Sequence, residues 1–427
     1  MSMKFEPSYL SFLDEVYHCH WSTRKKQKIA RLKRAVEHFW PDGHPSRLLH
    51  ISGTNGKGSV AYYLEQGFTE WGKTGSWTGP HVFDYAERFH ICGKQVSHEE
   101  IIQIYRQEIE PYQMSLVDHH GQEPLGFASI GILIALKLFE RHDVKWGIME
   151  VGAGGRYTPL MALHVDGCIL TNIGEDHPLT LGKEVWQRAL EKAGMVRQGK
   201  PFFSSEMGQA RTYVQQTVQD GGGLLFELSK EQCKRVQGIL NDEVPEFRLR
   251  NLGLAVDVVS YFYPETSVPQ LLDKMNAHLP GRFWEFEEKR IITDVAHNRN
   301  KIAALAEHLR LKYPGRKMIF LLGLTRQRDP IEVFEPIFPL TASMVVTSAS
   351  YAGQDPVLLA RKLKGFVSPI HVISDPEKAF HEAKSQMGEE DILVLTGSAY
   401  MIDQALNQNR YLAHMNASYG WRGNSLT

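Results

Sequence analysis

Apolar residues Ile29, Leu32, Val36, Phe39 and Trp40 recur at helical spacing with Lys and Arg between them, predicting a helix over 26–40. Pro41-Asp42-Gly43 closes it. The pattern then turns strand-like at Leu48, Leu49 and Ile51, passes through three glycines in six residues, and resumes helical spacing from Val60 to Phe68. Glu87 to Ile91 alternates like a strand and ends at Gly93. Residues 126–140 read as an apolar helix, and 144–151 as a buried strand carrying Glu150 near its end. A strand over 167–173 delivers Glu175-Asp176-His177, and a helix around 184–196 contains Lys192-Ala193-Gly194. Gly221-Gly222-Gly223 marks a turn with no chemistry assigned.

Leu279-Pro280-Gly281-Arg282 breaks regular structure and serves as a hinge, after which the pattern restarts. Strands fall at 291–294, 317–322, 344–347, 371–373 and 392–395, with a helix over 301–311. Strands alternating with helices, and polar residues at strand C-termini, indicate an α/β fold with parallel sheets whose site lies at that edge. No repeat of fixed period is present. The expected division is 1–284 and 285–427, because 427 residues exceed what one ordinary core organises.

Composition narrows the partners. A formal net charge of −1 gives no electrostatic reason to invoke nucleic acid or a membrane surface, and the basic run Arg24 to Lys28 fits the solvated face of a helix. Four cysteines, at 19, 92, 168 and 233, form no C-x-x-C pair, which favours thiols over disulfides or structural zinc. Met-Ser-Met-Lys-Phe-Glu has no apolar signal core, so a cytoplasmic chain is expected, and a monomer.

The stretch His50 to Val60 carries the clearest chemistry. Glycines 53, 56 and 58 let backbone N–H groups converge on an anion, and the helix that follows adds its positive end. Lys57 supplies a mobile cation for phosphates, and Ser59 a hydroxyl for phosphate or metal. The spacing G-x-x-G-K-G-S differs from the common G-x-x-x-x-G-K-[ST] loop. A glycine-rich turn that binds nothing is the plainer reading, and the Lys and Ser between strand and helix argue against it.

Glu150 and His177 are candidate ligands for a divalent cation bridging nucleotide phosphates; Mg²⁺ needs few protein ligands. Each alone is equally a capping or core residue. Asp294-Val295-Ala296-His297-Asn298 follows a strand and is either a site or a capped turn. Arg282 either reaches phosphate or pairs with a carboxylate such as Glu285.

Taken together, these runs resemble one family. His50 to Ser59, Pro80-His81 followed by Glu87-Arg88, and Glu150-Val-Gly-x-Gly-Gly-Arg156 are similar to motifs of the folylpolyglutamate synthase/dihydrofolate synthase family. So are Asn172 to His177, Glu191 to Gly194, Leu279 to Arg282, Asp294 to Asn298 and Leu395 to Tyr400, in family order. The family belongs to the ATP-dependent Mur ligases. The resemblance implies a P-loop ATPase-like N-terminal domain and a smaller Rossmann-like C-terminal one. It implies transfer of the γ-phosphoryl of ATP to a substrate carboxylate, then attack by an amino acid amine, glutamate in this family, leaving amide, ADP and phosphate.

By position, the resemblance assigns Gly53, Thr54, Asn55, Gly56, Lys57, Gly58 and Ser59 to the nucleotide phosphates, with Asn251, Arg282 and Asp294 as further ATP contacts. Ser59, Glu150 and His177 correspond to the magnesium site, and Lys192 to a lysine carbamylated in the family. Lys57, His177, Lys192 and His297 are the catalytic candidates, His297 standing between nucleotide and transition-state contact. Phe127, Ser129, Arg156, Tyr157 and Thr158 are the acid-substrate candidates.

Departures cluster on the acid side. The family's Ser-Pro-His is Gly79-Pro80-His81 here, removing a metal-ligand serine. Its Thr-x-Phe-Glu aligns with Gly126 to Ser129, and its Leu-Asp-Ala-Thr-Asn with Tyr157 to Met161. The carboxylate that seats a pterin is absent at both, and an unpaired buried partner costs about 1–3 kcal/mol. Arg299 replaces the proline after His-Asn. Three functions follow: a folate ligase with an altered pocket, the same ligation on another carboxylic acid, or a non-catalytic nucleotide-binding paralogue. Lys57, Glu150, His177, Lys192 and Asp294 standing together speak against the third.

Overall fold

The computed structural model describes residues 5–19, 25–120, 124–175, 178–240, 244–275, 283–286, 290–326, 328–350 and 352–406. Its contacts form two units, one within Glu6–His81 and Tyr85–Ala277, the other within His278–Thr427 together with Val82–Asp84.

The larger unit is built on an eight-stranded sheet: β1 (Arg47–Ser52), β2 (Thr74–Trp77), β3 (Phe89–Ile91), β4 (Lys94–Gln95), β5 (Trp146–Glu150), β6 (Gly167–Leu170), β7 (Pro201–Ser204) and β8 (Leu224–Glu227). The order is β4-β3-β2-β5-β1-β6-β7-β8, parallel from β2 to β8. β3 and β4 add an antiparallel edge that the sequence pattern did not announce. β1 lies between β5 and β6, with Ile51 opposite Glu150 and Ser52 opposite Leu170, so three strand tips end side by side.

Fully buried strands of this kind read as continuous apolar runs. The helices Lys57–Gly67, Glu246–Phe262 and Val268–Met275 cover one face with Val60, Leu64, Leu252, Val259 and Leu271. On β2 and β5, Gly75 and Gly147 are in register. A Cβ at Gly75 would stand 2.4 Å from the Phe139 ring, and one at Gly147 2.6 Å. Two glycines therefore make the bare patch onto which the helix Phe127–Arg141 presses its ring.

The smaller unit holds a six-stranded sheet: β9 (Trp284–Phe286), β10 (Ile291–Asp294), β11 (Met318–Leu322), β12 (Thr341–Val346), β13 (Ile370–Val372) and β14 (Leu393–Thr396). The order is β13-β12-β11-β14-β10-β9, parallel except for β9. β9 straddles the 284/285 boundary and pairs with β10, so it belongs to this sheet.

The helices over 25–39, 127–141, 185–193 and 299–312 fall within a few residues of their predicted ranges. One element differs. Glu87 and Arg88 close a short 3₁₀ turn, Tyr85–Arg88, and only Phe89–Ile91 is extended. Arg88 leaves the strand pattern because its side chain turns to His81. Among the described residues the four cysteines are free, and no helix is long and apolar enough to cross a membrane.

Candidate functional site

The glycine-rich loop leaves β1 and enters the helix Lys57–Gly67 through Gly56, which takes φ +82° and offers no side-chain cap. A helix start of this kind receives anions on its first-turn N–H groups. Gly53 has φ +145°, and a Cβ there would stand 1.8 Å from the Thr171 hydroxyl. At Gly56 a Cβ would stand 2.6 Å from Asn251 Oδ1, so the Asn251 side chain lies directly against the loop. No other residue fits either position.

Residues after β6 hold the loop in shape. Asn55 N–H donates to Asn172 Oδ1 at 3.0 Å, and the Thr171 hydroxyl donates to the Asn55 carbonyl at 2.5 Å. Gly174 N–H donates to Thr54 Oγ1 at 2.9 Å. Thr171 went unnoticed in the sequence, where it reads as one more β-branched strand residue.

Charge gathers at the same corner. Lys57 donates to the Gly53 carbonyl at 3.0 Å and lies 3.8 Å from Glu150 Oε1. Lys192, 2% exposed, donates to that same carbonyl at 2.9 Å. The buried Glu150 accepts from Gly79 N–H at 3.0 Å, the residue standing where the family has serine. Two ammonium groups against one carboxylate leave a positive corner beside the start of the helix Lys57–Gly67. A polyphosphate with its cation suits that set: phosphate oxygens for the lysines and N–H groups, the cation for Glu150. Ser59 sits in the first helical turn.

The acid-side candidates separate into two groups. Phe127 opens its helix after Gly126, its ring 5.0 Å from that of Tyr17 and 5.6 Å from that of Tyr85. Ser129, two residues on, is buried. Arg156 and Tyr157 instead border a hollow of about 590 Å³ with Ile29, Lys33 and Met161. Thr158 closes a turn by donating to the Gly155 carbonyl at 3.1 Å.

Asp294 and His297 lie in the smaller unit. Asp294 accepts from Phe283 N–H at 3.0 Å and Ala296 N–H at 2.8 Å, a capped turn. Nδ1 of His297 donates to the Val295 carbonyl at 2.7 Å, which leaves Nε2 facing Lys301 at 3.3 Å. The Glu285 carboxylate is held by Lys312 and Tyr313, each at 2.6 Å. His177 and Arg282 fall outside the described residues.

Residues 281–399 match the family model described as Mur ligase, glutamate ligase domain. Over 415 residues it is 23% identical to the dihydrofolate synthase/folylpolyglutamate synthase of Bacillus subtilis, covering 89% of this chain and 92% of that one. A probable bifunctional folylpolyglutamate synthase/dihydropteroate synthase of Haloferax volcanii is 24% identical over 403 residues, 88% of this chain but 47% of that protein. A bifunctional folylpolyglutamate synthase/dihydrofolate synthase solved with Mn, AMPPNP and L-glutamate bound superposes with TM-score 0.79 at 25% identity, covering 96% of this chain and 98% of that one. Mycobacterium tuberculosis folylpolyglutamate synthase complexed with ADP gives 0.82 at 21%, over 93% and 98%. These similarities run over most of the chain and are all to folylpolyglutamate synthases and dihydrofolate synthases.

Proposed function

We propose that this chain is an ATP-dependent, ADP-forming ligase that activates a substrate carboxylate as an acyl phosphate and joins it to an amino acid amine, glutamate being the partner. The observation that carries this reading is the corner where Lys57 and Lys192 share the Gly53 carbonyl beside Glu150. Carboxylates are poor electrophiles until phosphorylated, and phosphoryl transfer asks mainly for charge neutralisation and alignment.

The residues divide that work. Lys57 and the N–H groups opening the helix Lys57–Gly67 hold the terminal phosphates, while Asn251 flanks the loop at Gly56. Glu150, with Ser59 and His177, would hold Mg²⁺, which neutralises phosphate charge when bound. Lys192 fixes the loop backbone from beneath. Asp294 and Arg282 keep the ATP-contact assignment that the resemblance gives them, and His297 stands between a nucleotide and a transition-state contact. A carbamylated Lys192, as in the family, would add a carboxylate to the metal site.

The acid is a folate precursor or a related carboxylic acid. The altered residues at Gly79, Phe127 to Ser129 and Tyr157 to Met161 favour the second form as strongly as the first. ADP release with Mg²⁺-ATP, glutamate and either dihydropteroate or tetrahydrofolate tests the folate form. A panel of other acids tests the alternative. ATP binding without ADP release on any acid would leave only a nucleotide-binding paralogue.

A further inference from the structure

We infer that Arg88 is the anchor for the carboxylate of the acid substrate. The inference rests on the ligase reading and names the substrate class of the same site: a carboxylic acid carried on an aromatic or planar ring.

Arg88 is oriented from several sides. Its Nε–H donates to His81 Nδ1 at 2.9 Å. That nitrogen must therefore be an acceptor, so the ring proton sits on Nε2, which donates to the Tyr17 hydroxyl oxygen at 2.9 Å. The guanidinium carbon lies 5.2 Å from the Phe127 ring centre and 5.7 Å from that of Tyr85, within cation–π range of both. Its own carbonyl accepts from Thr78 N–H at 3.0 Å, fixing the backbone as well.

With Nε committed to His81, the two terminal nitrogens remain. Among the described residues no carboxylate pairs with them. These nitrogens form the fork that matches a carboxylate bidentately.

The location joins this fork to the phosphate corner. A Cβ on Gly79 would stand 2.6 Å from Nη1 of Arg88. The Gly79 N–H donates to Glu150 Oε2 at 3.0 Å, and Glu150 Oε1 lies 3.8 Å from Lys57. One residue of backbone thus separates the fork from the Lys57–Glu150 pair. A carboxylate on Arg88 keeps its charge and lies next to the place where the terminal phosphoryl group is held. Tyr17 and Phe127, half-buried and backed by the buried Tyr85, offer a ring-bearing acid flat apolar surface at the same spot. The sequence motif that includes Glu87-Arg88 acquires a role it lacked.

The test uses the full chain with Arg88→Gln, Arg88→Lys and Gly79→Ser. Dihydropteroate-dependent ADP release is measured with Mg²⁺-ATP and glutamate, alongside AMPPNP binding and thermal unfolding. Arg88→Gln is expected to raise the KM for dihydropteroate at least tenfold while the KM for ATP stays within twofold. Arg88→Lys, a point charge without the fork, falls between, and Gly79→Ser moves in the direction of Arg88→Gln. In parallel, saturation-transfer NMR follows 4-aminobenzoate on the protein loaded with Mg²⁺-AMPPNP; the wild-type signal is expected to vanish in Arg88→Gln. An unchanged acid KM, an equal rise in the KM for ATP, or a retained 4-aminobenzoate signal in Arg88→Gln overturns the assignment. Should the wild type release no ADP with dihydropteroate, the folate form of the ligase reading fails. The 4-aminobenzoate signal then decides alone: present in wild type and lost in Arg88→Gln it supports the anchor, absent in wild type it overturns it. If Arg88→Gln does not fold, Arg88→Lys carries the same comparison.

Discussion

Lys57 and Lys192 meet on one oxygen atom, the carbonyl of Gly53, at 3.0 and 2.9 Å. One lysine opens a helix and the other closes one, and 139 residues separate Gly53 from Lys192. Two cations so placed repel, so their joint position is most favourable with an anion between or beside them.

Lys57→Ala removes the cation nearest Glu150. Turnover should fall by at least about a hundredfold, the size typical of losing one preorganised charge-stabilising group. ADP release in the presence of acid and glutamate measures it. Turnover near wild type would remove Lys57 from the phosphate site.

Lys192→Ala takes away the support beneath the loop and leaves a cavity in a buried position. ADP release should be largely lost. Added formate or acetate should restore part of it, because a small carboxylate can stand in for a carbamate in the vacated space. Activity that ignores added carboxylate would argue that Lys192 works as an unmodified amine.

Gly53→Ala places a methyl carbon 1.8 Å from the Thr171 hydroxyl at φ +145°. That hydroxyl bonds Asn55, so the whole loop must shift. A loss of about 1–3 kcal/mol in denaturant unfolding and a collapse of AMPPNP affinity are expected. Gly152→Ala, with nothing within 4 Å of its Cβ, is the matched control and should unfold like wild type.

His50 gives the chain an acid sensitivity. Burial pulls its pKa down to about 3, and the positive charge of Arg197 pushes the same way. In the unfolded chain the ring titrates near the ordinary value of about 6.5. Between those values the unfolded state binds a proton that the folded state does not, so stability falls as pH drops below about 6.5. From pH 7 to pH 5 this group should cost about 2 kcal/mol, following about 1.4 kcal/mol per unit. His50→Met, an apolar side chain beside Met149 and Cys168 on the neighbouring strands, should lose that much less over the same interval. Equal acid losses in both proteins, read from urea midpoints, would clear His50 of the effect.

The strands were legible because a parallel sheet buried on both faces writes itself as uninterrupted apolar runs. Ile291–Asp294 was bounded correctly from that signal alone. The glycine loop was legible because its spacing has few other uses. The edge strand β4 was not, since its two residues are exposed, and β3 was read as extended without its antiparallel pairing. Side-chain meetings were harder still. Nothing in sequence spacing brings Asn251 against Gly56 or Thr171 against Asn55, because those contacts depend on strand order β5-β1-β6. The link from Tyr17 through His81 to Arg88 spans 64 and then 7 positions, and only the fold closes it.

The residues proposed to hold phosphate hang from the tips of three adjoining central strands, whereas Phe127 begins a helix and Arg88 ends a single turn at the sheet's margin. Selection can therefore rewrite the margin while the centre stays fixed. Lineages of such chains can acquire new acids by successive small replacements, each inheriting an intact apparatus for drawing on ATP.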